Sequence, residues 1–292
     1  MENAREWEDA ALAALLPLPD AQANKYSRGR LVVVAGSAQY PGAACLAAGA
    51  GQRAGAGYTE VFCAPEAVGT VRAFRPSLVV RSWEGLPAAG FPASAAGRPV
   101  AFVVGPGFAA DDAACRRLAL AVLERAQAPV VVDGGALDVL ATPEGRSLLA
   151  RRFAQGLPTV ATPHGGEAAR LARPLDLPTG DPGALARLLS LAYVAIVVAK
   201  GPDTHVSDGD ASAAVRCGTP ALAKAGTGDV LAGVLGALLA QGVEPFGACV
   251  LAATLHARAG KCAAARLTDV CVVAEDVMEA LPEAVAALLA RR

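Results

Sequence analysis

Short apolar runs without internal alternation constrain this chain more than any other feature. They read "LVVVA" (31–35), "YTEVFCA" (58–64), "VAFVV" (100–104), "VVVD" (130–133), "TVAT" (159–162) and "AIVVAK" (195–200). Most are continuous, as strands are when both faces of their sheet are covered. Between them lie Ala-rich stretches with helical spacing, at roughly 43–54, 111–127, 145–155, 166–172 and 182–192. Repeated alternation of this kind calls for right-handed crossovers and a mainly parallel sheet, an α/β fold with helices on both faces.

After residue 200 the pattern changes. "THVSDGDASAAVRCG" reads as a hairpin turning near Asp208-Gly209, and two long helices follow near 228–241 and 245–265, with further helices to the end. No Pro- or Ser-rich linker divides the 292 residues, so 1–292 reads as one domain, with 1–23 as an N-terminal helical extension. The acidic start "MENAREWEDAALAALLPLPD" lacks the basic flank of a signal peptide. The longest uncharged stretch, 31–52, is broken by Gly36, Pro41 and Gly42, which argues against a membrane span. A formal charge of −1 without a basic block argues against nucleic acid as a partner. Seven cysteines without a CxxC pair, beside three histidines, suggest reduced packing residues in a cytoplasmic protein.

In an open α/β sheet, ligands bind beyond the carboxyl ends of the strands. Small, Gly-rich loops stand there: "AGSAQYPGAA", "GPGF" (105–108), "DGGAL" (133–137), "TPHGGE" (162–167) and "KGPDT" (200–204). Glycine lets backbone approach a ligand closely, so together these loops predict a shared cleft. The sharpest signal is "AGTGDVLAG". Gly226, Thr227 and Gly228 open a helix, whose free N–H groups form a cradle for phosphate. Asp229 follows in the first turn. It suits a general base on a hydroxyl that attacks a phosphoryl group, and equally a helix cap. Neither a Walker A loop nor a G-x-G-x-x-G after the first strand is present.

The motifs "NKYSRGRLVVVAGSAQYPGAACLAAGAGQRAGAG", "GPGF", "VVDGGAL", "TPHGGE", "KGPDT" and "AGTGDVLAG" resemble, in order and spacing, the ADP-dependent NAD(P)H-hydrate dehydratases. The resemblance covers about 24–280 and implies a ribokinase-like three-layer sandwich. It implies phosphorylation of the C6 hydroxyl of hydrated NADH or NADPH by ADP, followed by loss of phosphate, with Mg²⁺ expected beside the nucleotide. It further implies that Asp229 is the base at the substrate hydroxyl and that Ala43, Gly107 and His164 contact the hydrated dinucleotide. Lys200, Gly201, Pro202, Asp203, Thr204 and Gly228 match the nucleotide-binding positions. A homo-oligomer is expected, a tetramer among the states open to it, with a separate epimerase acting on the same substrate. A small-alcohol kinase, for a vitamin precursor, is the alternative on the same fold; a nucleotide-sensing protein with a decayed site is a third reading.

Three positions depart from the family pattern. Gly135 stands where a second acid is frequent, Asn24-Lys25 replaces His-Lys, and "LAKAGTGD" replaces an Asn-Gly-Gly form, leaving Lys224 without a role. Of the remaining polar residues, Glu167 reads as a helix cap, His205 as facing solvent or the hairpin and His256 as structural. Asp133 reads either as a ligand contact or as an acceptor for loop N–H groups. No metal ligands are identifiable.

Overall fold

The computed structural model describes residues 7–86, 90–109 and 111–292. Helix α1 (Asp9–Leu15) precedes strand β1 (Arg30–Val34), α2 (Pro41–Arg53), β2 (Tyr58–Cys63), α3 (Val68–Phe74) and β3 (Val79–Ser82). Next come β4 (Val100–Val104), α4 (Ala113–Arg125), β5 (Val130–Val132), α5 (Leu137–Leu140), α6 (Pro143–Ala154) and β6 (Thr159–Ala161). Then follow α7 (Gly165–Ala172), α8 (Pro182–Tyr193), β7 (Ile196–Ala199), β8 (Thr204–Ser207) and β9 (Ser212–Val215). The chain ends in α9 (Thr227–Ala240), α10 (Pro245–Cys271), α11 (Ala274–Glu279) and α12 (Leu281–Leu289).

The strands form one nine-stranded sheet in the order β3-β2-β1-β4-β5-β6-β7-β8-β9. Every pair from β3 through β7 is parallel, and β8 and β9 close the edge as the expected antiparallel hairpin. Strands β4, β5 and β6 are buried at every position, which is why their sequences run apolar without alternation. Helices α2, α3 and α9 to α12 pack among themselves, as do α4 to α8, so the sheet is covered on both faces. This is the three-layer, mainly parallel architecture expected.

Differences lie at the edges. Strand β3 and helix α3 were not foreseen: "VVRS" is short and carries Arg81, which pairs with the buried carboxylate of Glu60 on β2. A charge on an edge strand blunts it against further pairing, and it also hides the strand from an apolar-run reading. Helix α10 extends past the expected end to Cys271, with Thr268 at φ +70 interrupting it. Of the N-terminal extension, helix is formed at Asp9–Leu15, where Asp9 pairs with Arg258 of α10; residues 1–6 lie outside the described residues. All seven cysteines are unpaired. Among the described residues, no helix is long and apolar enough to cross a membrane.

What positions the site is α9. It is buried along nearly its whole length, between α2 and the strands β1 and β4. Glycine permits that depth: a Cβ on Gly233 would stand 2.0 Å from the carbonyl oxygen of Ala47 on α2. The helix therefore sits close against α2, and its N-terminus is fixed at the carboxyl rim of the sheet.

Candidate active site

Three strand ends build a charged cluster. Asp133 follows β5, Thr162 follows β6 and Lys200 follows β7. The Thr162 hydroxyl donates to Asp133 Oδ1 at 2.6 Å, and Lys200 Nζ donates to the same oxygen at 2.7 Å. Glu167 on α7 brings a second carboxylate, with Oε2 4.0 Å from Lys200 Nζ. That oxygen also accepts the His164 N–H at 2.8 Å, while His164 Nδ1 accepts from Gly166 N at 3.1 Å. The reciprocal pair is a capping box for α7. Glu167 thus serves as the expected cap and also belongs to the cluster. Burial raises its carboxyl above the ordinary value, with Lys200 opposing. Burial acts to lower the Lys200 ammonium, but Asp133 and Glu167 outweigh it and hold the group above its usual value.

Asp229 faces this cluster from the first turn of α9. Gly226, at φ +89, caps that helix in the left-handed region open to glycine, and the chain enters the helix directly behind it. Asp229 is pushed up to about 7, first by burial and then by Asp133, with Lys200 opposing and Glu167 adding to the rise. Three carboxylates share one ammonium here, so the least paired of them holds its proton into the neutral range. A carboxylate at that value is matched to taking a proton from a hydroxyl at physiological pH.

Beside the cluster opens a cavity of about 780 Å³. Lys200, Gly201, Pro202 and Thr204 line one wall, and Thr227 and Gly228 line the helix start. Leu222, Leu231 and Ala253 supply apolar surface, and His164 reaches the cavity too. This volume suits a nucleotide-sized ligand. Asp203 does not join the wall; its side chain lies 3.5 Å from the Arg216 guanidinium. Thr227, expected in the cradle, directs its hydroxyl inward to the carbonyls of Leu222 and Lys224 at 2.8 and 2.9 Å. It shapes the loop, and the first-turn amides of Gly228 and Asp229 are left to face a ligand.

Ala43 and Gly107 are brought to each other rather than to that wall. A Cβ on Gly107 would stand 2.7 Å from the Ala43 Cβ. They sit beyond the ends of β1 and β4, the strands that precede β5 in the sheet. The expected residues therefore fall into two groups, one at the cavity and one at β1 and β4, with Asp133 between them at the end of β5.

Of its two sequence readings, Asp133 does not meet the one through loop N–H groups; its side-chain partners are Lys200 and Thr162. His256, expected to be structural, lines the cavity while 8% exposed. Its Nε2 is buried without a hydrogen-bond partner. Burial holds the imidazole down at about 4, against a raising backbone contact from Thr227. The Ala/Leu-rich helix around His256 carries no signal that would have separated a cavity wall from core.

The family description NAD(P)H-hydrate dehydratase matches residues 31–283. The chain is 40% identical over 239 residues to a bifunctional NAD(P)H-hydrate repair enzyme of Mycobacterium tuberculosis, covering 81% of this chain and 46% of that protein. It is 33% identical over 294 residues to an ADP-dependent (S)-NAD(P)H-hydrate dehydratase of Xanthomonas campestris, covering 94% and 93% of the two chains. In fold it is similar to an ADP/ATP-dependent NAD(P)H-hydrate dehydratase of Bacillus subtilis co-crystallised with ATP and Mg²⁺. The TM-score is 0.84 at 24% identity, over 99% of this chain and 100% of that one. The chain spans about half the length of the bifunctional relatives.

Proposed function

The chain belongs to the NAD(P)H-hydrate dehydratase family, and from that premise we propose that it dehydrates the 6-hydroxy forms of NADH and NADPH at the expense of ADP. The observation that carries the reading is Asp229, poised at about 7 on the helix end beside a nucleotide-sized cavity.

Asp229 takes the proton of the C6 hydroxyl as that oxygen attacks the β-phosphorus of ADP. The new O–P bond forms while the bond to the bridging oxygen breaks, releasing AMP. The chain's contribution is placement and charge: the Gly228 and Asp229 amides face the transferred group, and Lys200 holds a positive charge beside it. Phosphate is a far better leaving group than hydroxide. The ring nitrogen lone pair expels it, a proton leaves the neighbouring carbon, and the dihydronicotinamide is restored. Ala43, Gly107 and His164 are assigned to the dinucleotide, and Lys200, Gly201, Pro202 and Thr204 with Gly228 to ADP. Among the described residues, no group of three or more His, Cys, Asp or Glu forms a metal cage. Asp133 and Glu167 are already engaged with Lys200. Mg²⁺ would therefore be held by the nucleotide phosphates and would supply neutralising charge there.

We place the enzyme in the cytoplasm as a single-domain homo-oligomer, with an epimerase supplying the complementary activity. The test is incubation with hydrated cofactor and ADP. Recovery of near-UV dihydronicotinamide absorbance, with AMP and phosphate released, supports the reading. No recovery with ADP or ATP from folded protein overturns it, and a stable phosphorylated product points to the small-alcohol kinase.

A further inference from the structure

Lys224 is the residue of the "LAKAGTGD" loop that the reaction leaves unused. It lines the same cavity as Lys200, just ahead of the helix start where a phosphate would lie. The two lysines differ in what holds them. Lys200 has two carboxylates within 4.0 Å. Lys224 makes no ion pair among the described residues, and its Nζ donates at 2.6 Å to a neutral acceptor, the Val270 carbonyl.

That acceptor belongs to a segment seated at the cavity rim. Thr268 interrupts α10 at φ +70, a conformation costly for a β-branched residue. Asp269 then accepts a hydrogen bond from Thr219, another residue of the cavity wall. Val270 is 80% exposed. The Lys224 side chain is itself exposed, so little packing fixes it in this pose. Asp269 is the nearby competing anion, but its carboxylate is engaged by Thr219 and does not pair with Lys224.

We propose that Lys224 is a phosphate-binding residue for the nucleotide: on ligand entry its ammonium leaves the Val270 carbonyl and donates to a phosphate oxygen of ADP. A charge-assisted bond to phosphate is roughly twice as strong as one to a neutral acceptor, so the exchange is downhill. It also gives the cavity a positive charge that no protein carboxylate neutralises. In the neighbouring cluster the Lys200 charge is already shared by Asp133 and Glu167. Without Lys224, the nucleotide phosphates would meet no lysine among the described lining residues that is free of a carboxylate.

This inference rests on ADP being the ligand of the cavity, and its test separates the two. Equilibrium binding of ADP and of uncharged adenosine is measured for the wild type, Lys224→Met and Lys224→Arg. Wild-type protein that fails to bind ADP overturns the functional reading and this inference with it. Given wild-type binding, Lys224→Met is expected to raise the Kd for ADP at least roughly tenfold. The Kd for adenosine should change less than twofold, and Lys224→Arg should retain most of the affinity. Unchanged ADP binding in Lys224→Met overturns the proposal, and so does an equal loss for ADP and adenosine, the mark of a purely structural role.

Discussion

The Lys200 ammonium lies 2.7 Å from Asp133 Oδ1, with the side chains only 19% and 3% exposed. A pair this withdrawn from water is held by mutual compensation. Removing Asp133 takes the closest carboxylate from the ammonium and leaves Glu167 at 4.0 Å as its partner, at a cost of about 2 kcal/mol. Asp133→Ala is therefore expected to lower the unfolding free energy by about that amount in urea denaturation. Asp133→Asn keeps the shape and removes only the charge. Because the Asp133 charge is a cause of the raised Asp229 value, the acidic limb of kcat/KM should then move to lower pH. An unmoved limb would separate Asp133 from the reacting carboxylate.

Asp229 itself links catalysis and stability. Its folded value of about 7 lies above the ordinary aspartate value of 3.8. Between those values the folded state binds the extra proton. The stabilisation is fully present at the acid end and is lost as pH rises through about 7. Asp229→Asn removes that loss. The variant and wild type should nearly match at pH 4 and diverge progressively between pH 4 and 7, with the variant more stable by about 4 kcal/mol at pH 8. Its turnover should fall by several orders of magnitude. Thermal melts across pH, paired with the dehydration assay, check both. Near-wild-type turnover would return Asp229 to helix capping.

The parallel sheet, the hairpin after residue 200 and the helix-end position of Asp229 were legible because each follows from local chemistry. Apolar runs make buried strands, Asp-Gly makes a turn, and glycines open a helix. Charge placement was not. Lys200 was read toward a ligand, yet its nearest partner is Asp133, 67 residues away in sequence. Glu167 was seen as a cap because its partner is local. Its second contact, to Lys200, depends on two strand ends meeting. Thr227 looked free until the loop behind it supplied carbonyls for its hydroxyl.

Arg152 shows the same limit away from the site. Next to the exposed Arg151, it is 2% exposed and fills a nest of backbone oxygens. It donates to Ala126 O and Ala128 O, each at 2.7 Å, and to Thr159 Oγ1 at 2.9 Å. Burial pulls its pKa down to about 10, so it remains charged at neutral pH with carbonyls as its partners. Arg152→Met would leave those carbonyls unsatisfied between α4, β5 and β6. Denaturant unfolding should show a loss of about 3 kcal/mol, with the KM for ADP unchanged in whatever protein folds. A neutral substitution would mean that water replaces the guanidinium.

His256 is expected to trade stability for binding. Its buried Nε2 has no partner, a cost of about 1–3 kcal/mol in the free protein. Burial also sets the folded imidazole at about 4, below the usual 6.5. Between those values the unfolded chain binds more protons, so wild-type stability falls as pH drops through this window. His256→Leu abolishes both effects. The variant should be at least as stable as wild type at pH 8, and its advantage should grow by roughly 2 kcal/mol at pH 5. If Nε2 serves the ligand in the cavity, the same variant should bind ADP roughly tenfold more weakly. Melts at both pH values, with and without ADP, read the two effects together. A variant that is less stable than wild type at both pH values and binds ADP normally would make His256 a packing residue, as its sequence surroundings suggested.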